Sequence, residues 1–331
     1  MNLLVTGGAG FIGSNFIRHI IDRPEVGRLV NFDCLTYAGH LENLSGLEEH
    51  RKYVFMRADL RDVKAIWEAL LAENITHIVH LAAESHVDRS IAGPDDFIHT
   101  NVVGTFNLLK GSRRQITRFL HVSTDEVYGS LGPTGCFTEQ SPYAPNSPYS
   151  ASKAASDMLV RAYHHTYGFP AVITNCSNNY GPYQFPEKLI PVVIQSVLHR
   201  KSIPVYGDGM NVRDWLYVRD HAEALWQVLT RGKDGETYNI GGNNEWPNIR
   251  IVELICDIID ELAPGAGGKS RNLITFVKDR PGHDRRYAID ASKIAQELGW
   301  KPAYTFERGI HETVQWYLDN QAWVKAVTST K

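Results

Sequence analysis

The chain has 331 residues, of which 43% are hydrophobic and 21% charged, and its formal net charge is −3. A chain of this length forms one large domain or two modest ones and can bury a substantial core. Because no block of lysine and arginine stands out, the composition argues against nucleic acid or a membrane surface as the main partner.

The first half of the chain alternates short apolar runs with longer helical patterns. We predict strands at Leu3–Val5, Leu29–Phe32, Tyr53–Met56, His77–Ala82, Phe119–Ser123 and Ala171–Thr174. Between them we predict helices at Ile12–Ile21, Val63–Glu73, Phe97–Gly111 and Ser150–Tyr167. Strands that alternate with helices predict an α/β fold with a doubly wound parallel sheet of the Rossmann type. Right-handed crossovers would place the helices on both faces of that sheet.

The pattern changes after about Gly181, where prolines become frequent and strands shorter. Apolar runs reappear at Trp215–Val218 and Tyr238–Ile240, and the stretch 263–270 is typical of a loop. We therefore predict a Rossmann domain over residues 1–180 and a smaller, mixed substrate domain over residues 181–331. Some segments of the second domain are expected to return to the main sheet.

A glycine-rich turn, Thr-Gly-Gly-Ala-Gly-Phe-Ile-Gly at residues 6–13, links the first strand to the first helix. Glycine allows the backbone to approach a pyrophosphate, and the helix N-terminus attracts its charge. Asp33 ends the second strand, where a carboxylate accepts hydrogen bonds from the adenosine ribose and repels a 2′-phosphate. The pattern predicts NAD, the alternative being a structural turn. Asp59 is expected either near the adenine or as a helix N-cap before residues 61–68.

Tyr149 and Lys153 form a Tyr-x-x-x-Lys pair on one face of a predicted helix, with Ser147 as its N-cap and Pro148 at its first position. A phenol has a pKa of about 10. A nearby ammonium and a positive nicotinamide ring would lower that pKa. The pair therefore predicts a base that takes a proton from a hydroxyl while hydride leaves the same carbon.

Two adjacent acids, Asp125 and Glu126, follow Thr124 at the end of the predicted strand Phe119–Ser123. Ligands bind beyond the carboxyl ends of such strands. Repulsion between two neighbouring carboxylates raises the pKa of one of them. Such a pair suits an elimination, in which one group removes a carbon-bound proton and the other protonates a departing hydroxyl. The alternative is a solvated acidic turn.

Several of these motifs resemble the dTDP-glucose 4,6-dehydratases, which are extended short-chain dehydrogenases/reductases. The similar segments are residues 6–13, 33–39, 81–88, 123–129, 149–153, 175–181, 213–215 and 279–283. The resemblance extends from about residue 2 to residue 325, and the Thr-Asp-Glu triplet at 124–126 is its most discriminating part, because related 4-epimerases lack both acids. It implies an NAD-dependent lyase of deoxysugar biosynthesis that forms dTDP-4-keto-6-deoxyglucose.

The resemblance also implies a role for each catalytic residue. Tyr149 would take the proton of the 4-hydroxyl while hydride passes from C4 to NAD. Glu126 would remove the C5 proton, and Asp125 would protonate the leaving 6-hydroxyl. Thr124 would bind the C4 oxygen, and Lys153 would hold the nicotinamide ribose. Hydride then returns to C6, so NAD is expected to stay tightly bound and to be recycled.

Binding residues come from the glycine turn and from the resemblance. The expected cofactor contacts are Gly7, Gly10, Phe11, Ile12, Gly13, Asp33, Cys34, Leu35, Thr36, Asp59, Leu60, Leu81, Ala82, Ala83, Ser85, Thr100, Tyr149, Lys153 and Asn179. The expected substrate contacts are Ser85, Thr124, Asn178, Lys188, Leu189, Val193, Pro204, Tyr206, Arg213, Asn248, Asp279, Arg280, Pro281, Gly282 and His283. Arg213 suits the diphosphate, since guanidinium binds phosphate bidentately. Cys34 departs from the lysine that the family often carries, which affects a charge contact near the adenosine and not the choice of NAD.

An apolar stripe runs along the predicted helix Ser150–Tyr167 and consists of Ala151, Ala154, Ala155, Met158, Leu159 and Ala162. It packs either against the chain's own sheet or against a second copy. The resemblance implies the second arrangement, in which this helix and the one near Phe97–Gly111 form a four-helix contact in a homodimer.

The sequence is also compatible with other functions and sites. UDP-glucose or another nucleotide sugar is an alternative substrate, because one methyl group in a pocket is worth only about 1–3 kcal/mol. A sugar-nucleotide 4-epimerase is a second alternative, which the two acids count against. A hydrolase triad of Ser85, His86 and Asp88 would lack the Gly-x-Ser-x-Gly turn. No His-Glu-x-x-His motif occurs, so we expect no metal.

The cysteines and the apolar runs bear on location. Cys34, Cys136, Cys176 and Cys256 are scattered and form no Cys-x-x-Cys pair, which predicts reduced thiols. The first apolar run begins at Leu3 and leaves no room for a secretion signal. No run reaches the length of about 18 apolar residues that a membrane helix needs. We therefore expect a cytoplasmic protein.

Overall fold

A computed structural model describes residues 1–113, 115–264, 267–279 and 283–329. Its strands are β1 (Asn2–Thr6), β2 (Arg28–Asp33), β3 (Tyr53–Arg57), β4 (His77–His80), β5 (Arg118–Thr124), β6 (Ala171–Cys176), β7 (Asn178–Tyr180), β8 (Ile203–Tyr206), β9 (Val212–Tyr217), β10 (Thr237–Ile240), β11 (Glu245–Pro247) and β12 (Ile274–Val277). Within the described chain, seven of them form a main sheet in the order β10-β6-β5-β4-β1-β2-β3. All of its neighbouring strands are parallel. The predicted doubly wound α/β fold is confirmed.

Helices flank the main sheet and build the second half of the chain. They are α1 (Phe11–Ile20), α2 (Val63–Ala72), α3 (Val87–Ala92), α4 (Asp95–Phe97), α5 (Thr105–Ser112), α6 (Pro148–Tyr167), α7 (Leu189–Leu198), α8 (Val218–Arg231), α9 (Asn248–Leu262), α10 (Ser292–Leu298), α11 (Phe306–Asp319) and α12 (Gln321–Ser329). None of the helices in the described residues is long and apolar enough to span a membrane.

The main sheet is buried on both faces, which explains why its strands are continuous apolar runs rather than alternating ones. In β1, Leu3 and Val5 pack with Phe16 of α1 on one face. Leu4, between them, packs with Leu108 of α5 on the other face. This two-residue alternation distributes one strand between two cores.

Two predicted elements end or break earlier than expected. The strand predicted at His77–Ala82 stops at His80. The chain then passes the glycine turn so closely that a Cβ on Gly7 would lie 2.7 Å from the Cα of Ala82. The helix predicted at Phe97–Gly111 contains a π-helical stretch at Ile98–Gly104 before α5 begins. π-Helical turns widen a helix locally and occur often at functional sites.

Helix α6 begins and ends where its sequence predicts. The hydroxyl of Ser147 accepts the backbone N–H of Ser150 in a capping box, and Pro148 occupies the first turn. The helix ends at Gly168, whose φ of 62° is the left-handed conformation that glycine adopts without strain. These local signals fix the register that places Tyr149 and Lys153 on one face.

The second half of the chain has its own core between α7, α9 and α11. Strands β11, β9 and β7 form a small sheet, and β12 pairs with β8. Strand β10 leaves this region to pair with β6 of the main sheet. The proposed division into residues 1–180 and 181–331 stays a prediction.

Candidate active site

A cavity of about 540 Å³ runs along the carboxyl ends of the main-sheet strands β1, β2, β4, β5 and β6. Its volume lies within the range of about 300–1,000 Å³ that is usual for ligand and cofactor sites. All of the predicted cofactor contacts line it except Leu35. Leu35 adopts a φ of 57° and directs its N–H to the Oδ1 atom of Asp33 at 2.8 Å. Leu35 therefore contributes to the site by holding the carboxylate of Asp33 rather than by lining the cavity.

The glycine turn fits a pyrophosphate for steric and electrostatic reasons. Gly7 has a φ of 71°, and a Cβ on Gly13 would lie 2.2 Å from the carbonyl oxygen of Gly7, so neither position accepts a side chain. Gly10 is the N-cap of α1 and brings no side-chain hydrogen bond to the helix N–H groups. The first turn of α1 is therefore open to an anion on the cavity wall.

The carboxylate of Asp33 is buried at the end of β2 and is held by two backbone N–H groups. Ala9 donates to Oδ2 at 2.9 Å, and Leu35 donates to Oδ1 at 2.8 Å. Burial raises the pKa of Asp33, and the two N–H groups oppose that rise. The carboxylate is thus oriented toward the cavity where the resemblance places the adenosine ribose.

Asp59 lines the cavity and is bound by Arg61, whose Nε and Nη2 atoms lie 3.0 and 2.7 Å from Oδ2. The N-cap of α2 is instead Asp62, which accepts the N–H groups of Lys64 and Ala65. The alternative interpretation of Asp59 as the N-cap is therefore wrong. Arg61 was missed by the sequence analysis because no local motif marks it.

The predicted catalytic residues converge at the end of β5. Thr124, Glu126, Tyr149 and Lys153 all line the cavity. The Thr124 hydroxyl is hydrogen-bonded to the Tyr149 phenol and accepts the backbone N–H of Glu126 at 3.3 Å. One threonine thus connects the phenol to the acidic turn.

Asp125 lies in the chain between Thr124 and Glu126, which both line the cavity, and only 2% of its own surface is exposed. Its Oδ2 atom has no hydrogen-bond partner among the described residues. Burial raises the pKa of Asp125 well above its usual range, and the charges of Glu126 and Asp214 raise it further against the opposing effects of Arg213 and Thr124. The side chain is therefore suited to carry a proton at neutral pH.

The pKa of Tyr149 departs from the predicted direction. Burial raises it well above 10, and the charge of Glu126 raises it further, while the Thr124 hydrogen bond lowers it. Lys153 directs its Nζ atom to the carbonyl oxygen of Val122 at 2.9 Å. The prediction that the protein by itself lowers the pKa of Tyr149 is therefore wrong. The lowering of this pKa by the positive nicotinamide ring stays a prediction.

The predicted substrate contacts fall into two groups. Ser85, Thr124, Asn178, Lys188 and Leu189 line the cavity. Those that do not line it are Val193 in the core of the second half, Pro204 and Tyr206 on β8, Arg213 on β9, Asn248 at the start of α9, and Asp279 and His283 beyond β12. Arg280, Pro281 and Gly282 lie outside the described residues.

Arg213 is buried and stacks on the ring of Tyr287, with its Cζ atom 4.4 Å from the ring centre. It donates to the carbonyl oxygens of Val212 and Asp284 at 2.8 and 2.9 Å. The Oδ1 atom of Asp279 lies 2.6 Å from Nδ1 of His283, and the His283 ring lies 6.3 Å from that of Tyr206. These residues form a second cluster beside the cavity, assembled from three separate segments.

The segment leading into α7 forms another wall of the cavity, and the sequence pointed only to Lys188 and Leu189 in it. The further lining residues of this wall are Gln184, Phe185, Glu187 and Ile190. Glu187 lies 3.9 Å from His86 and 3.7 Å from Arg89. The guanidinium of Arg89 lies 3.7 Å from the centre of the Tyr37 ring. The segment thus connects the two halves of the chain across the cavity. Among the described residues, no group of three or more His, Cys, Asp or Glu side chains is placed to hold a metal ion.

Comparisons with known proteins agree with this geometry. The sequence model of the GDP-mannose 4,6 dehydratase family matches residues 4–313. The dTDP-glucose 4,6-dehydratase of Xanthomonas campestris pv. campestris strain B100 is 58% identical over 98% of this chain and 95% of that protein. The crystal structure of the Bacillus anthracis dTDP-glucose 4,6-dehydratase in complex with NAD is 48% identical, covers 99% of both chains and has a TM-score of 0.90. The Streptomyces venezuelae dTDP-glucose 4,6-dehydratase, also with NAD bound, is 45% identical over 99% and 100% of the chains, with a TM-score of 0.93.

Proposed function

The chain belongs to the dTDP-glucose 4,6-dehydratases of the extended short-chain dehydrogenase/reductase family, and we propose that it converts dTDP-glucose to dTDP-4-keto-6-deoxyglucose. It is an NAD-dependent lyase. One observation carries the proposal: the acids Asp125 and Glu126 stand at the end of β5, beside the phenol of Tyr149. Oxidation of an alcohol needs only the phenol and the cofactor, whereas loss of water needs an acid and a base in addition.

The chain's own residues divide the reaction between them. When bound, NAD accepts hydride from C4 of the sugar and later returns it to C6. Tyr149 takes the proton of the 4-hydroxyl, and the Thr124 hydroxyl holds that oxygen. The resulting ketone makes the C5 proton acidic, and Glu126 removes it from the cavity side. Asp125 then gives its proton to the departing 6-hydroxyl, which leaves as water, through Oδ2, the atom that has no partner in the described protein. As hydride reaches C6, Glu126 returns a proton to C5, so that water is the only group lost from the sugar.

The test compares three nucleotide sugars with the purified full-length protein. We expect the highest kcat/KM for the 4-keto-6-deoxy product with dTDP-glucose, and lower values with UDP-glucose and CDP-glucose. We also expect no net release of NADH, because the hydride is returned. Formation of the 4-epimer without a 6-deoxy product would instead identify a 4-epimerase, and a preference for UDP-glucose would identify the alternative substrate.

A homodimer is part of the proposal, formed by α6 and the neighbouring π-helical stretch with α5. Ala154 of the predicted stripe is buried within the chain, but Ala151, Met158 and Ala162 are exposed. Ile98, Val103 and Phe106 expose further apolar surface on the adjoining element, with Phe106 40% and Met158 46% exposed. Large apolar patches on a protein surface usually mark an interface, and most homo-oligomers are two-fold dimers.

The oligomeric state can be measured by light scattering at micromolar concentration. We expect a mass of about twice the 37.2 kDa of the chain. The double variant Phe106→Asp with Met158→Asp should shift the mass toward that of one chain. Phe276→Asp is the matched control, because Phe276 is 58% exposed on β12, away from this face. A mass near 37.2 kDa for the unaltered protein would contradict the dimer.

We also propose a cytoplasmic location, which the thiols support. All four cysteines are free, and Cys176 and Cys256 are buried. Alkylation of the denatured protein without reductant should label every cysteine. Incomplete labelling, restored by a reductant, would point to an oxidising compartment.

A further inference from the structure

A buried carboxylate lies behind Lys153 and plays no part in the reaction described above. Asp157 is on α6 one helical turn after Lys153, so both side chains lie on one face of the helix. Three side chains donate to it: His121 through Nε2 to Oδ1 at 3.0 Å, Ser123 through Oγ to Oδ2 at 2.8 Å, and Tyr143 through its hydroxyl to Oδ2 at 3.0 Å. The carboxylate is therefore held in one position by β5 and by the loop before α6.

The histidines around this carboxylate are neutral. His121 Nδ1 has no partner among the described residues, so the proton of the ring is on Nε2, which donates to Asp157. Burial lowers the pKa of His121 well below its usual range, and the charge of Lys153 lowers it further. His80, whose ring centre lies 5.2 Å from that of His121, is neutral for the same reasons. This leaves Lys153 as the cation among these groups.

Lys153 is itself buried and depends on a nearby negative charge. Its Nζ atom donates to the carbonyl oxygen of Val122 at 2.9 Å. Burial lowers the pKa of Lys153, while Asp157 and Cys176 raise it. In the opposite direction, burial raises the pKa of Asp157 to about 7, and Lys153 has the largest opposing effect. The charged forms of the two residues thus stabilise each other in a region that excludes water.

We propose that Asp157 is a positioning residue whose buried carboxylate keeps Lys153 protonated and directed at the cavity. It contacts neither substrate nor cofactor and acts through Lys153. Its kinetic consequences rest on the proposed function, whereas its effect on Lys153 does not. The other titratable groups that face the pair are His80 from β4, His121 from β5, Cys176 from β6, Tyr143 from the loop before α6, and Tyr128 from the turn after β5.

The direct test titrates Lys153 in the full-length protein by NMR with ¹³Cε-labelled lysine, the signal being assigned by its loss in Lys153→Met. Asp157→Asn is nearly isosteric and removes the charge, so we expect the Lys153 pKa to fall by about 1–3 units. Ser123→Ala is the matched control, because it removes one hydrogen bond to the carboxylate and keeps the charge. Its shift should be clearly smaller. An unchanged Lys153 pKa in Asp157→Asn would overturn the proposal.

A second readout uses the pH profile of dehydration. In Asp157→Asn the alkaline limb of kcat should move to lower pH by the same shift, with little change in KM for dTDP-glucose. Asp157→Glu retains the charge and should move the alkaline limb of kcat most of the way back to its original pH. Ser123→Ala should leave that limb at its original pH. Equal movement of the limb in Ser123→Ala and Asp157→Asn would indicate a merely structural network and overturn the proposal.

The role of Asp157 can still be decided if the unaltered protein is inactive or if Asp157→Asn does not fold. If the unaltered protein does not dehydrate dTDP-glucose, the proposed function fails, but the NMR titration still decides the role of Asp157. If Asp157→Asn does not fold, the reciprocal measurement replaces it, because coupling between two sites acts equally in both directions. The Asp157 carboxyl should then titrate at a higher pH in Lys153→Met than in the unaltered protein, and an unchanged value would overturn the proposal.

Discussion

Two buried aspartates stand at the carboxyl edge of the same sheet, Asp33 at the end of β2 and Asp125 just after β5. Burial raises the pKa of both. Both oxygens of Asp33 accept backbone N–H groups, at 2.9 and 2.8 Å. Asp125 instead has one oxygen without a partner in the described chain and two further acids, Glu126 and Asp214, whose charges oppose its ionisation.

The difference shows how the backbone around a strand end assigns a role to a carboxyl group. After β2 the chain turns sharply, with Leu35 in the left-handed region, and aims two N–H groups at the charge. After β5 the chain enters a short 3₁₀ turn whose N–H groups go elsewhere. Hydrogen bonds from N–H groups favour the charged form, which suits binding, while burial without them favours the protonated form, which suits proton donation.

The largest expected effect comes from removing the proton of Asp125. Asp125→Asn should lower kcat for dehydration by about 10²–10⁴-fold, as is usual for loss of a general acid. Oxidation at C4 should survive, so the variant should show the absorbance of enzyme-bound reduced nicotinamide. Tyr149→Phe is the contrasting variant and should barely show that absorbance. Near-normal dehydration by Asp125→Asn would show that the acidic pair belongs to a turn without a catalytic role.

A variant of Glu126 tests the base of the elimination independently of the acid, Asp125. Glu126→Gln should also lose about 10²–10⁴-fold in kcat, because a general base is removed. Unlike the unaltered protein, it should no longer exchange the C5 hydrogen of the bound sugar with solvent deuterium, as NMR of the sugar can measure. Exchange at the normal rate would rule out Glu126 as the base.

Asp33→Asn tests the other side of the comparison. An amide has one acceptor oxygen, so the variant leaves one of the N–H groups of Ala9 and Leu35 without its partner. An amide also lacks the charge with which the carboxylate would accept hydrogen bonds from the adenosine ribose of NAD, and a hydrogen bond to a charged group contributes about 1.5–3 kcal/mol. Affinity for NAD should therefore fall by about 10- to 100-fold, with kcat preserved at saturating NAD. Equilibrium dialysis measures the first quantity, and a loss confined to kcat would contradict a binding role.

The dependence of stability on pH sharpens the contrast further. The pKa of Asp125 is raised in the folded state from 3.8, so its contribution to stability is present below about pH 4 and is lost as pH rises through the folded value. An asparagine cannot ionise. The free energy of unfolding of Asp125→Asn should therefore rise relative to that of the unaltered protein as pH increases above 4. Parallel pH profiles from urea titrations would contradict the raised pKa.

The smallest effect is expected at the neighbouring Asp59–Arg61 pair, which shares the cavity wall with Asp33 but is partly exposed. Ion pairs in contact with water contribute only about 0–1 kcal/mol. Arg61→Ala should change the affinity for NAD by no more than about fivefold, with kcat unaltered. A loss as large as that of Asp33→Asn would show that Arg61 contacts the cofactor directly.

Features that depend on neighbours in the chain were predictable from the sequence. The glycine turn, the position of Asp33, the N-cap Ser147 of α6 and the common face of Tyr149 and Lys153 all appear as expected. Each involves residues within a few positions of one another, where strand and helix geometry alone sets direction. The fold class followed for the same reason, from the alternation of apolar strands with helices.

Only the tertiary structure decided how those residues are charged and which distant segments join them. Asp125 and Asp157 are ordinary aspartates in the sequence, but folding buries both, and Asp157 meets partners on β5 more than 30 positions away. Arg213, whose contact with the diphosphate stays a prediction, stacks on the ring of Tyr287, more than 70 positions away in the chain. Desolvation depends on everything packed around a group, and no local pattern records it. The sequence thus determined the order of strands and helices and which residues follow β1, β2 and β5, while tertiary packing decided which of those residues hold a proton.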